Sequence, residues 1–231
     1  MSSSYPRFAA VSASLQTMSR LAVPIAILSA FAFCAPLRAA SVEIQVRDAA
    51  GKPLADVAVY ATPAAGGVDA RPGRTAAIEQ VDREFVPYVS VIQSGTTVLF
   101  PNRDPILHHV YSFSPAKPFE IKLYSGMSPG GVLFDKPGVV ALGCNIHDWM
   151  IGYLLVVATP HFATTDAGGI ARLRDVPAGA YELRAWHPQQ RAAIAPRPLT
   201  LEAAANAGAA FVADIAPRKP KYKPPLDRLK Y

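Results

Sequence analysis

Gly143-Cys144-Asn145-Ile146-His147-Asp148-Trp149-Met150 places a thiol, an imidazole and a thioether in the spacing Cys-x2-His-x2-Met. The residues before it, Val139 to Leu142, read as a short strand, and Tyr153 to Ala158 after it read as another. The three side chains therefore belong to a loop held between two strands. Further upstream, Phe100-Pro-Asn-Arg-Asp-Pro-Ile-Leu-His108-His109-Val110 follows the strand-like Thr97 to Phe100 and offers a second imidazole.

Strand signals continue in both directions. Val42, Ile44 and Val46 alternate with Glu43, Gln45 and Arg47, the pattern of a half-buried strand. Val57 to Tyr60, Glu84 to Ile92, Val110 to Phe113, Phe119 to Leu123, Ala171 to Arg174 and Tyr181 to Trp186 follow, separated by turn residues such as Asp48 to Pro53 and Val176 to Gly179. Residues 61–76 read as a loop. Leu201 to Ala210 alone has helical composition, beside a strand-like Ala210 to Ala213. With 22 prolines and 15 glycines spread over 231 residues, long helical bundles are excluded and an all-β sandwich is expected. A chain 51% hydrophobic and only 17% charged is too apolar to stay disordered.

The first 40 residues read as an address. Arg7 and Arg20 precede an apolar run from Leu21 to Ala35 that is shorter than the roughly 20 residues of a spanning helix, and Ala39, Ala40 and Ser41 offer a cleavage zone. A signal peptide over 1–40 and a periplasmic or secreted product are expected. Cys34 leaves with that segment, so Cys144 is the one remaining cysteine: a free thiol, an intermolecular bridge or a metal ligand. The net charge of +6 is concentrated at the ends. Residues 216–231 hold six basic side chains and one acid among four prolines, an extended tail able to touch anionic lipid or an acidic partner. An exported chain with no basic folded face offers nothing to nucleic acid.

One cysteine, two separated imidazoles and a methionine make the donor set of a type 1 copper site, trigonal Cys-His-His with a weak axial thioether. Zinc would accept the thiolate and imidazoles but gains little from Met150. On these residues the segment from about Ala77 to Pro160 resembles a cupredoxin, a blue copper protein, and the Cys144-x2-His147-x2-Met150 spacing is similar to the amicyanin type of ligand loop. The resemblance implies a Greek-key sandwich over 77–160 holding one copper ion, with His108 and His147 as imidazole ligands, Cys144 as thiolate and Met150 as axial ligand. It further implies an electron carrier, docking transiently on a redox protein such as a cytochrome c or a dehydrogenase through an exposed His147 imidazole near Trp149. His109 stands where small cupredoxins usually carry Asn. It is read as a support or surface residue, and an exchange of roles with His108 stays open at this level.

Residues 42–60 and 164–188 resemble the opening and later strands of carboxypeptidase-regulatory-like β-sandwiches. The resemblance implies a second small sandwich made of 41–76 and 161–215, in or beside which the cupredoxin segment is inserted; His161 and His187 then fall in it as structural residues. Exported chains with this combination resemble methylamine utilisation proteins, which adds an amine dehydrogenase to the possible partners. A multicopper oxidase is excluded on two grounds. Gly143 and Asn145 flank the cysteine where that chemistry needs histidines, and five histidines are too few for a trinuclear cluster beside the first site. The remaining alternative to a carrier is a periplasmic copper chaperone or assembly factor that binds copper without redox cycling; an enzyme is not expected.

Overall fold

The computed structural model describes residues 40–66, 73–203 and 205–218. The expected export segment before Ala40 and the tail beyond Arg218 lie outside these. Among the described residues every regular element is a strand, as the punctuation by proline and glycine predicts. In chain order they are β1 (Ala40–Arg47), β2 (Ala58–Pro63), β3 (Thr75–Ala77), β4 (Glu79–Val81), β5 (Glu84–Val86), β6 (Val89–Gln93), β7 (Thr96–Leu99), β8 (His108–Ser112) and β9 (Phe119–Tyr124). There follow β10 (Val132–Phe134), β11 (Gly138–Gly143), β12 (Ile151–Val157), β13 (Phe162–Thr164), β14 (Ile170–Val176), β15 (Gly179–Trp186), β16 (Arg197–Leu201) and β17 (Asn206–Val212).

Two sandwiches result. Strands from both ends of the chain make one: a sheet in the order β14-β1-β17 faces a sheet in the order β13-β2-β15-β16. Val42, Ile44 and Val46 of β1 point into the space between them with Val59, Leu173, Leu183 and Phe211. Each such side chain, taken fully out of water, contributes about 1.5–3 kcal/mol before chain entropy is subtracted. The middle of the chain makes the other, a β10-β7-β3 sheet against a β6-β12-β11-β8-β9 sheet. Val98, Phe100, Phe134, Val140, Leu142, Leu154 and Val156 fill its interior.

β12 belongs to both. Leu154 and Val156 enter the second core, while Leu155 and Val157 pack with Val89 and Ala58 on the opposite face. Burial on two faces explains why Leu154 to Val157 is an unbroken apolar run instead of an alternating one.

The helical composition of Leu201 to Ala210 does not produce a helix. Leu201 ends β16, and Asn206–Val212 is β17, parallel to β1 from Ser41↔Asn206 to Arg47↔Val212. Ala207, Ala209 and Phe211 face the core, so the period is two and pairing with a preformed strand overrides alanine's helical preference. β3, β10 and β13 each have only three residues; they exist because a longer neighbour offers ladder partners, and no local pattern marks them.

A candidate metal centre

The loop before β8 is built by Asn102. Its Nδ2 donates to the carbonyls of Ile106 at 2.8 Å and Tyr124 at 3.1 Å, while its Oδ1 accepts the Asp104 N–H at 2.9 Å. This buried Asx turn fixes the path of residues 102–108 and delivers His108 at the first position of β8. On the far side of the site, β11 ends at Gly143, and the next seven residues close on themselves: Met150 N–H donates to the His147 carbonyl at 2.8 Å and Cys144 N–H to the Met150 carbonyl at 3.3 Å. Gly143 has its own steric reason. The Tyr111 ring lies against it, and a Cβ there would meet Tyr111 Cζ at 2.7 Å.

These two segments bring three donor atoms together. His108 Nδ1 lies 3.2 Å from His147 Nδ1, and Cys144 Sγ lies 3.9 Å from the first and 3.5 Å from the second. The centre of that triangle is about 2 Å from each corner, the length of a metal–imidazole bond and a little under that of a metal–thiolate bond. Cys144 is 3% exposed and both rings are wholly buried. The residues therefore fit a single ion held by one thiolate and two imidazoles. Met150, 1% exposed, packs in the same core as Cys144, so its soft thioether belongs to the apolar wall beneath the triangle.

Protonation favours the same use. His108 Nε2 is 2.7 Å from Asp104 Oδ2, which places the ring proton on Nε2 and leaves Nδ1 as a lone pair. Burial pushes the His108 proton affinity down, Asp104 opposes that, and the Arg83 cation adds to it. His147 is pushed down to about 4, first by burial and then by the charges of His108 and Arg83. Both rings are neutral near pH 7 and ready to ligate.

His109 takes no part. Its ring lies on the other face of β8, with Nε2 2.9 Å from Glu120 Oε1 and the ring 5.7 Å from that of Tyr111. The alternation of the strand separates the two neighbours: His108 joins the triangle and His109 supports the opposite face. His187 is 95% buried, accepts the Gln189 N–H on Nδ1 at 3.1 Å, and is held to about 4 by burial. His161 sits edge-on to Tyr181 at 6.0 Å. Neither approaches the triangle.

One expectation is overturned. The His147 imidazole is not exposed to a partner; it is 0% accessible, with the Trp149 ring centred 5.2 Å away. Asp104 was missed by sequence reading. Its signal was a carboxylate four residues before His108, but only the folded loop shows that it also accepts the N–H groups of Asp82 and Arg83, at 2.6 and 2.7 Å.

No protein-family model matches the sequence, and no curated protein is significantly similar to it. Among solved structures, a Cu-containing nitrite reductase from Thermus scotoductus SA-01 is 27% identical over 42% of this chain and 25% of that one, with a TM-score of 0.35. The chain thus spans a quarter of that enzyme's length. A reduced single-site variant of amicyanin is 17% identical over 42% of this chain and 91% of that one, with a TM-score of 0.33. A purple cupredoxin from Nitrosopumilus maritimus is 22% identical over 37% of this chain and all of that one, with a TM-score of 0.29. With scores this low, the fold stands on its own strand order and the site on its own distances.

Proposed function

We propose that the protein is an exported type 1 copper protein that carries electrons, with His108, Cys144 and His147 as equatorial ligands and Met150 as the axial one. The supporting observation is the donor triangle, whose sides of 3.2, 3.5 and 3.9 Å match one small ion shared by Sγ and two Nδ1 atoms. Copper in such a donor set cycles between its monovalent and divalent states. The chain's part is to hold the donors still. Asn102 and Asp104 fix His108, the hydrogen bonds from Met150 and Cys144 close the ligand loop, and the apolar core around Cys144 excludes water. Little rearrangement then accompanies a change of charge.

The middle sandwich is taken as a cupredoxin unit inserted between the strands of a regulatory-like sandwich, and the likeness to methylamine utilisation proteins proposes a cytochrome c or an amine dehydrogenase as partner. The basic tail beyond Arg218 is proposed to add a weak electrostatic contact to a membrane or to that partner. Complete burial of both rings favours a carrier over a chaperone, because handing an ion to an acceptor protein needs ligands that the acceptor can reach.

Visible and EPR spectra of the copper-loaded protein test the reading. An intense thiolate-to-copper charge-transfer band, bleached by reduction and restored by oxidation at constant copper content, is expected. A colourless protein with an ordinary tetragonal EPR signal contradicts it.

A further inference from the structure

The hairpin β4–β5 stands outside both large sheets, pairing only within itself from Glu79↔Val86 to Val81↔Glu84. It is nevertheless fixed at both ends. At its base the Gln80 N–H donates to the Pro101 carbonyl, the Arg103 N–H donates to the Gln80 carbonyl, each at 2.9 Å, and the buried Gln80 amide donates to the Phe100 carbonyl at 3.0 Å. At its tip the Asp104 carboxylate accepts the N–H groups of Asp82 and Arg83 and also meets His108 Nε2. One carboxylate thus joins the hairpin tip to an imidazole of the donor triangle.

The tip itself is expensive. Asp82 and Arg83 have φ of 49° and 58°, the left-handed geometry of a two-residue hairpin turn, where Asn-Gly is the favoured pair. Non-glycine residues there cost about 1–2 kcal/mol each. Turn shape alone does not call for arginine, so its side chain must supply something. That side chain, at the tip of a hairpin, is only 11% exposed, while its ion-pair partner Asp82 at 3.3 Å is 70% exposed. The guanidinium is folded inward and its countercharge is left in water, where it is screened.

We infer that Arg83 is the residue that sets the charge preference of the metal centre, its buried guanidinium offsetting the Asp104 carboxylate and favouring a monovalent over a divalent ion. This rests on the metal-centre reading above. A thiolate and two neutral imidazoles sum to zero charge around a monovalent ion and to plus one around a divalent ion. Asp104 alone, in contact with His108, would favour the higher charge. Arg83 reverses that bias without touching a donor atom. Its effect on the proton affinities of His108 and His147 has the same sign and the same origin: it opposes added positive charge at either ring.

The test compares the affinities of the full chain for Ag(I) and Co(II), two ions whose binding does not depend on copper chemistry, in the unmodified protein and in Arg83→Gln and Arg83→Lys. Arg83→Gln should shift the ratio of affinities toward Co(II) by about tenfold, the size of one unit-charge interaction across several ångströms at an effective dielectric near 20. Arg83→Lys should stay near the unmodified ratio. Should Arg83→Gln fail to fold, Arg83→Gly removes the same charge while relaxing the left-handed turn. An unmoved ratio in the neutral variants, or Arg83→Lys shifting as they do, overturns the proposal and leaves the metal centre standing. If the unmodified protein binds neither ion, the metal-centre reading falls, and this inference with it.

Discussion

The two sandwiches have cores of similar make-up and differ at one end. The sandwich formed by the chain's outer segments closes on Val, Leu and Ala, with Phe211 and Tyr181 as its aromatics. The middle sandwich begins the same way but places Cys144, His108 and His147 where further aliphatic side chains would fit. Burying two imidazoles costs solvation that packing alone does not return. The fold pays for it with dedicated support: Asp104 on His108, and an Asx turn from Asn102 beneath Asp104. One core therefore exists to be stable and the other to hold nitrogen and sulfur at set distances.

Four changes break or sharpen that contrast. The largest effect is expected from Cys144→Ser, which removes the soft donor: the charge-transfer band should vanish entirely, while thermal unfolding of the metal-free chain barely moves. Retention of the band would place the thiolate outside the site. The converse is Leu183→Ala in the aliphatic core. It should lower unfolding stability by about 2–5 kcal/mol and leave the spectrum of the folded, copper-loaded protein unaltered; a shifted band would mean the two sandwiches are coupled more tightly than their separate cores imply. Asp104→Asn comes next. Weakening the support of His108 should reduce metal affinity about 10- to 100-fold, measured by competition with a chelator, and equal affinity would show that the loop holds His108 unaided.

The smallest effect is that of pH on the metal-free protein. Burial holds His147 and His187 at about 4, below their ordinary value of 6.5. Between those values the unfolded chain takes up protons that the folded chain refuses, so acid favours unfolding. Stability should be complete above pH 6.5 and decline as the pH falls toward 4, read as a falling urea midpoint. His187→Gln should remove the share belonging to the aliphatic sandwich and leave that of His147; a midpoint independent of pH would contradict the neutral state of both rings.

Much of this was legible in the chain, for reasons that are local. The alternation of Val42, Ile44 and Val46 reports a strand because side chains two apart share a face, and Cys144-x2-His147-x2-Met150 reports its donors because a seven-residue loop keeps them near one another. What could not be read depends on distant partners. The residues of β17 carry helical composition and become a strand only because β1 is there to pair with. His108 and His109 are indistinguishable until the register of β8 assigns them to opposite faces. The burial of His147 and the roles of Asp104 and Arg83 arise where a hairpin, a loop and a strand meet, and no spacing rule spans the 21 residues from Arg83 to Asp104.

X-ray absorption at the copper edge of the loaded, oxidised protein tests the central claim most directly. One sulfur scatterer and two imidazole nitrogens at about 2 Å, with the sulfur lost in Cys144→Ser, is the predicted result. A first shell of nitrogen and oxygen alone, unchanged by that substitution, would contradict it.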